Sequence, residues 1–375
     1  MRAMIMAAGL GTRLKPLTGF IPKPMVPIAN RPALYHILRL LARHGITEVV
    51  VNLHHLPDTV TSYFGDGAWL GVDLHYAFEE RLLGTAGGVK NNQGFLGDDT
   101  FLVLSGDALT DVDLTALVSA HRAHGSIATL AVAEVDDPSQ YGVVVVDQEE
   151  RVTGFQEKPR PEEARSKLCN CGMYVFEPEI FERVPAAESY DFGTMVLPEL
   201  LRDGLAFHTH TAAGYWNDVG SLPEYRRGSF DVLAGLVSVE RTAQELEPGV
   251  WIGARTLLGR GVRIRPPVLI GDECVIDEGT VLEGPVVLGD QCVVGRGARI
   301  TRSILWGGAY AGPGSVVSES IVARSVHVGR GATLAGVVVG ERSVVPAESD
   351  IGDAVLDAET EIDPGAVWKM DPRGV

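Results

Sequence analysis

Apolar residues recur along this chain in two different rhythms. In the first half, short apolar runs alternate with stretches of helical period. Residues 2–6 read as a short buried strand. Residues 32–44 place Leu34, Ile37, Leu38 and Leu41 at i, i+3, i+4 and i+7, with Gly45 as the stop. Residues 46–53 and 101–105 read as further buried strands, 114–124 as a helix, and 127–135 and 142–146 as β-rich. This alternation predicts an α/β domain with a mostly parallel sheet. Ligands of such sheets sit at the carboxyl ends of the strands, where residues 9–13 and 106–107 fall.

The rhythm changes near residue 236. After a connector at 236–250, Ile252, Leu258, Ile264, Ile270, Ile276, Leu282, Leu288, Val294 and Ile300 follow one another every six residues. A second series of smaller residues lies four places after each: Thr256, Val262, Val268, Cys274, Thr280, Val286, Cys292, Ala298 and Ile304. A period of six held over nine units predicts a hexapeptide-repeat, left-handed parallel β-helix. Beyond Ile304 the register is expected to slip by four and continue through Val316, Val322, Val328 and Leu334, with a loop near 306–310. Cys274 and Cys292, 18 residues apart, should stack in neighbouring coils as small core filler. The expected organisation is a catalytic domain at 1–235, a linker at 236–250 and the β-helix at 251–375.

Composition narrows the function. The formal charge of −17 argues against a nucleic-acid binder, although local cations can still build an anion pocket. No run approaches the length of a membrane span, and the chain enters its first strand with no signal-peptide pattern. Four cysteines in 375 residues are no disulfide framework, and the Cys169-x-Cys171 pair has no second Cys/His cluster at a zinc spacing. A reduced, cytoplasmic protein is expected.

The candidate chemistry starts at residues 6–18, MAAGLGTRLKPLT. It is not a Walker A loop, because Thr12, Arg13 and Leu14 follow Gly11. It is not the dinucleotide fingerprint either, because Leu14 stands where the third glycine belongs. It is still a strand end followed by small residues, where backbone N–H groups can approach a phosphate, with Arg13, Lys15 and Lys23 supplying charge. Prolines flank Lys23 in PKPMVPIANRP (22–32) and stiffen it. GTAGGV (84–89) reads as a second loop of close backbone approach. LVLSGDALTDVDL (102–114), QYGVVVV (140–146), GFQEKP (154–159), NCGMYVF (170–176) and GYWNDVGSLPEY (214–225) complete the set.

In their order, these segments resemble the nucleotide-sugar pyrophosphorylases, or sugar-1-phosphate nucleotidyltransferases, most closely the bacterial mannose-1-phosphate guanylyltransferase pattern. The resemblance covers residues 1–230, and the coils resemble that family's C-terminal domain. It implies a Rossmann-like nucleotidyltransferase domain and the reaction of an NTP with a sugar 1-phosphate to give NDP-sugar and pyrophosphate. It also implies roles. Arg13 and Lys23 would grip the triphosphate, Asp107 and Asp218 would hold Mg²⁺, and Lys158 would bind the sugar phosphate. Gly142, Glu157 and Asn170 would face the sugar. Gly9, Gly11, Thr85 and Gly87 would line base and ribose. GTP with mannose 1-phosphate is the expected pair, and UTP or dTTP with glucose 1-phosphate the alternative. A catalytically silent regulatory homologue is disfavoured, because Arg13, Lys23, Asp107, Lys158 and Asp218 are all present. An acyltransferase is disfavoured by a coil region holding one histidine, His327. The coils are expected to mediate homo-oligomerisation.

Overall fold

The computed structural model describes residues 1–241 and 243–362. It divides into two compact units: residues 1–10 with 33–218, and residues 11–32 with 219–375. The chain passes between the two units three times, after residues 10, 32 and 218, so residues 11–32 and 219–235 of the expected catalytic domain group with the coils, and the expected β-helix residues 363–375 lie outside the described residues.

The first unit is built on a nine-stranded sheet. Its parallel part holds β1 (Arg2–Met6), flanked by β4 (Glu48–Leu53) and β6 (Phe101–Ser105), with β5 (Asp73–Phe78) beyond β4. The hairpin strands β2 (Pro27–Ile28) and β3 (Arg31–Pro32) belong to the other unit. On the far side of β6 the sheet turns antiparallel through β11 (Leu168–Phe176), which pairs β6, β8 (Ala128–Glu134) and β9 (Gly142–Val146). The edge strand β10 (Val152–Glu157) pairs β9. β12 (His208–Thr211) runs parallel to β8. A separate two-stranded ribbon joins β7 (Leu109–Thr110) to β13 (Trp216–Asn217). The continuous apolar runs of β1, β4 and β6 are explained by burial on both faces: Ala3, Met4, Ile5, Val49, Val51 and Leu102–Leu104 are closed off from solvent.

The helix expected at 32–44 is α1 (Ala33–Arg43), and its apolar face is buried as its period requires. Pro32 stays outside it, in β3. Between β4 and β5 lies α2 (Pro57–Phe64), and between β5 and β6 lie α3 (Gly84–Asn91) and α4 (Gln93–Leu96). The expected helix α5 (Leu114–His124) starts on Asp113, whose side chain accepts from the Ala116 N–H at 3.0 Å, and stops at Gly125. Two further helices are α6 (Leu197–Arg202) and α7 (Leu222–Ala234).

The second unit is a stack of coils forming three parallel sheets. Ile270, Ile276, Leu282, Leu288, Val294 and Ile300 point inward and are buried, whereas Leu258, in the first coil, is exposed. The connector is not bare linker. β14 (Gln244–Glu247) pairs antiparallel with β15 (Val250–Ile252) and so begins the stack.

The expected slip of four after Ile304 does not occur. Ladder partners stand 18 residues apart in the early coils (Val268↔Val286) and 17 apart later (Val287↔Ile304, Ile304↔Ile321). Each later coil is one residue short at a single corner. Arg302, Glu319, Gly336 and Asp353 turn that corner in the left-handed conformation (φ 46°, 50°, 69° and 44°). The inward residue is therefore Val317, which is buried, and not Val316. Val322, Val328 and Leu334 are inward as expected. Cys274 and Cys292 are buried one coil apart and unbonded to each other as a disulfide; each thiol donates to a carbonyl, Gly289 O and Trp306 O, at 3.1 Å.

Candidate active site

Two parallel strands open the site. Met6 of β1 pairs with Ser105 of β6, and the Gly106 N–H donates to Met6 O at 2.9 Å. Asp107 therefore leaves the sheet beside the first residues of the glycine segment, Ala7 to Gly9. Asp107 is half-buried, while Gly9 is exposed, with open space where a Cβ would stand. Asp218 arrives through the ribbon. Asn217 of β13 opposes Leu109 of β7, so the next residue, Asp218, continues toward Ala108 and Asp107. Both carboxylates thus stand at the same end of one short antiparallel pair. Tyr215 holds the ribbon in place: its N–H donates to Asp111 Oδ1 at 2.6 Å and its carbonyl accepts from Thr110 Oγ1 at 2.7 Å.

Trp216 joins this pair of carboxylates to a second group. Its indole N–H donates to Cys171 O at 3.0 Å, and its ring meets Tyr141 edge-on at 5.3 Å. Cys171 follows Asn170, whose Oδ1 accepts from the Gly172 N–H at 3.1 Å and whose Nδ2 donates to the Tyr174 hydroxyl at 2.6 Å. These bonds hold Asn170 at a register shift in β11 between Asn170 and Tyr174. Burial pushes the Tyr174 phenol above its ordinary value, so it serves as a neutral hydroxyl. Cys169 pairs with Val143, which brings Asn170 alongside Gly142. Gly142 in turn opposes Glu157 across β9 and β10. A Cβ on Gly142 would meet the Phe155 ring at 2.5 Å and Glu157 Oε2 at 3.2 Å, which is why the position must be glycine.

Lys158 follows with φ 45°, its N–H donating to Tyr141 O at 3.0 Å, and its ammonium stands 3.5 Å from Glu157 Oε1. The structure therefore gathers Gly142, Glu157, Lys158 and Asn170, and links them through Trp216 to Asp107 and Asp218.

Thr85 and Gly87 are placed differently from expectation. GTAGGV is the first turn and a half of helix α3, not a loop. The Ala86 and Gly87 N–H groups both donate to Tyr190 O at 3.0 Å. Thr85 Oγ1 donates to Asp191 Oδ2 at 2.7 Å and accepts from the Phe192 N–H at 2.8 Å. Glycine is used here for close packing: a Cβ on Gly87 would stand 2.5 Å from Glu188 O.

Gly11, Arg13 and Lys23 fall in the second unit. Gly11 adopts φ 65°, and a Cβ there would stand 2.9 Å from the Lys23 Cβ, so glycine is required on both counts. The Gly11 carbonyl accepts from Thr18 Oγ1 at 2.8 Å. Arg13 is exposed in a 3₁₀ turn (Thr12–Leu14) whose Leu14 is buried, and Lys23 opens a second such turn (Lys23–Met25) between prolines.

One buried pair escaped sequence reasoning. Asn52, at the end of β4, accepts from the Ala7 N–H at 2.7 Å through Oδ1 and donates to Glu79 Oε1 at 2.7 Å through Nδ2. Glu79 Oε2 accepts from the Leu83 N–H at 3.1 Å. The pair is 3% and 6% exposed and ties the glycine segment after β1 to the start of α3. The only signal was a polar residue, Asn52, inside the apolar run of β4, and a carboxylate, Glu79, directly after β5.

Among the described residues no three His, Cys, Asp or Glu side chains form a metal cluster. Two half-buried carboxylates at one ribbon end nevertheless suit a hard divalent ion that takes its other ligands from phosphate and water. The buried thiols Cys169 and Cys171 are unsuited to metal binding. Burial first, then Asp137, pushes Cys169 up to about 12, and burial raises Cys171 as well. No helix among the described residues is long and apolar enough to cross a membrane.

Comparison with known proteins gives this geometry its family. The family profile described as nucleotidyl transferase matches residues 2–235, and that described as GMPPB C-terminal domain matches residues 264–364. The UTP–glucose-1-phosphate uridylyltransferase of Synechocystis sp. is 43% identical over 267 residues, spanning 68% of this chain and 69% of its own. The mannose-1-phosphate guanylyltransferase of Mycobacterium tuberculosis is 36% identical over 274 residues, spanning 70% and 76%. The solved structure of HddC from Yersinia pseudotuberculosis complexed with GMP-PN shares 27% identity and a TM-score of 0.53, over 61% of this chain and 97% of that one. The chain belongs to the nucleotidyl transferase family, as a sugar-1-phosphate nucleotidyltransferase that makes nucleotide sugars.

Proposed function

We propose that the chain joins GTP to mannose 1-phosphate, giving GDP-mannose and pyrophosphate, in the cytoplasm. The observation that carries the reading is that the ribbon ending at Asp107 and Asp218 is joined, through the Trp216 indole on Cys171 O and the strand pairing beyond it, to Asn170, Gly142, Glu157 and Lys158. It offers one place for a metal–triphosphate beside one place for a sugar phosphate. A phosphate oxygen of the sugar 1-phosphate attacks the α-phosphorus, the bond to the pyrophosphate oxygen breaks, and no protein nucleophile is needed. Lys158 orients the attacking phosphate, and its charge is free to move because the side chain is more than half exposed. Arg13 and Lys23 neutralise the triphosphate and its pyrophosphate leaving group. Asp107 and Asp218 hold Mg²⁺, which supplies further charge neutralisation when bound. Glu157 and Asn170 accept and donate to sugar hydroxyls, the Gly142 backbone faces the sugar, and Gly9, Gly11, Thr85 and Gly87 border base and ribose.

Guanine and mannose are favoured by the guanylyltransferase relative, by the match of the coils and by the GMP-PN complex of the solved neighbour. The uridylyltransferase relative favours UTP with glucose 1-phosphate as the second reading. Pyrophosphate release with Mg²⁺, over GTP, UTP, dTTP, ATP and CTP against mannose, glucose and N-acetylglucosamine 1-phosphates, separates them. A dominant GTP–mannose cell is expected. A dominant UTP–glucose cell reverses the assignment, and a blank grid with folded protein favours a silent homologue.

A further inference from the structure

The two cations assigned to the triphosphate do not stand on the sheet. Residues 11–32 group with the coils, and three contacts, at Pro27, Asn30 and Phe20, tether them along the stack. The Trp306 indole N–H donates to the Tyr225 hydroxyl at 2.7 Å, and that hydroxyl donates to Pro27 O at 2.9 Å. Trp306 and Tyr225 are buried, so this one hydroxyl satisfies a coil donor that has no water to fall back on and holds the loop carbonyl in the same step. Asn30, at the tip of the β2–β3 hairpin with φ 64°, donates through Nδ2 to Leu288 O at 2.8 Å. Further along, the Arg342 guanidinium lies 4.6 Å over the Phe20 ring.

From Pro27 the restraint runs back to the cations through stiff backbone. Lys23 is four residues upstream, in a turn closed by the Val26 N–H on Lys23 O at 3.1 Å and braced by Pro22 and Pro24. Gly11 packs against the Lys23 Cβ, and Arg13 follows in the next turn. A shift at Pro27 therefore moves both cations together.

We infer that the coil stack is part of the nucleotide-binding machinery, with Trp306, Tyr225 and Asn30 as positioning residues that fix where Arg13 and Lys23 stand. The inference rests on the reading that those two cations meet the triphosphate. It assigns the coils a role in each turnover, beyond any role in assembly.

The test uses the full chain with Tyr225→Phe and, as the gentler change, Asn30→Ala. Each is expected to raise KM for the NTP roughly threefold to tenfold, the worth of one hydrogen bond, while KM for the sugar 1-phosphate stays within about twofold. Hydrogen exchange at the amides of Leu14, Leu17, Met25 and Val26 should quicken, while that of β1, β4 and β6 holds. Arg265→Ala, on an outer face of the coils, should change neither constant. Unchanged NTP KM and unchanged exchange in both variants overturns the inference, as does an equal rise in both KM values that tracks a fall in Tm. A wild-type chain that turns over no substrate pair would instead sink the reading of the site; the exchange at 11–32 then still decides whether the tether exists.

Discussion

Glu79 is a buried carboxylate whose two oxygens do different jobs, one facing the Asn52 amide and the other the Leu83 N–H. Asn52→Asp would set two carboxylates face to face, and Glu79→Gln would turn one donor onto another. Each single change should cost roughly 1–3 kcal/mol in urea unfolding, the cost of a buried mismatch. The double change restores the pattern: the introduced carboxylate accepts from the Ala7 N–H and from the introduced amide, whose oxygen accepts from Leu83. It should recover most of that stability and the NTP KM, and additive losses would show that the two residues act independently. Asp107→Asn tests the metal reading at the same scale. It should abolish Mg²⁺-dependent turnover by about 10²-fold or more while leaving Tm nearly unchanged; full turnover removes Asp107 from the metal site. Asp107 and Asp218 were legible because each stands in a motif. Asn52 and Glu79 were not, because they are 27 residues apart and are joined only by parallel strand pairing.

At the scale of elements, the coils were legible because every unit repeats one inward position. The change to 17 residues was not, because Val316 and Val317 are both apolar and β-branched, and either continues a period of six by eye. The backbone decides. A left-handed residue turns the corner where the earlier coils have Pro266–Pro267 and Gly284–Pro285, and this removes one residue per coil. Threonine keeps the branching and replaces one methyl with a hydroxyl, so it reads the two sides cleanly. Val317→Thr should destabilise the coils by about 1–3 kcal/mol, because the hydroxyl is buried without a partner. Val316→Thr should stay within about 0.5 kcal/mol, as an outward substitution. The reverse order in thermal or urea unfolding would restore the slip of four. The misreading of GTAGGV has a different cause. Three glycines in six residues weaken a helix locally, but the Tyr190 carbonyl collects the Ala86 and Gly87 N–H groups, and Gly84, Gly87 and Gly88 each stand where a Cβ would collide. Tertiary contacts overrode the local preference.

On the scale of the whole molecule, the three outer faces of the coils differ. The first carries Trp251, Leu269, Val287, Ile304 and Ile321, all buried. The second is a charged ladder, with Glu283 bridging Arg265 at 2.9 Å and Arg299 at 3.9 Å. The third sets Leu257, Val275, Val293, Tyr310, His327 and Val344 in one register, with Tyr310 and His327 stacked at 4.4 Å. Leu257, Val275 and Val344 on it are 64%, 39% and 40% exposed. Six positions at a strand spacing of roughly 4.8 Å make a straight stripe, aliphatic or aromatic at all but His327. A monomer gains nothing from leaving such a stripe wet, and a two-fold axis across it would lay the same stripe on itself. The expected homo-oligomer therefore has a specific surface to test. Sedimentation at micromolar concentration should find the wild-type chain above monomer mass. Leu257→Lys combined with Val275→Lys should return it to monomer without lowering Tm, because both side chains point outward. A wild-type chain that sediments only as monomer would leave the stripe without this role, and an assembled double variant would move the contact to another face.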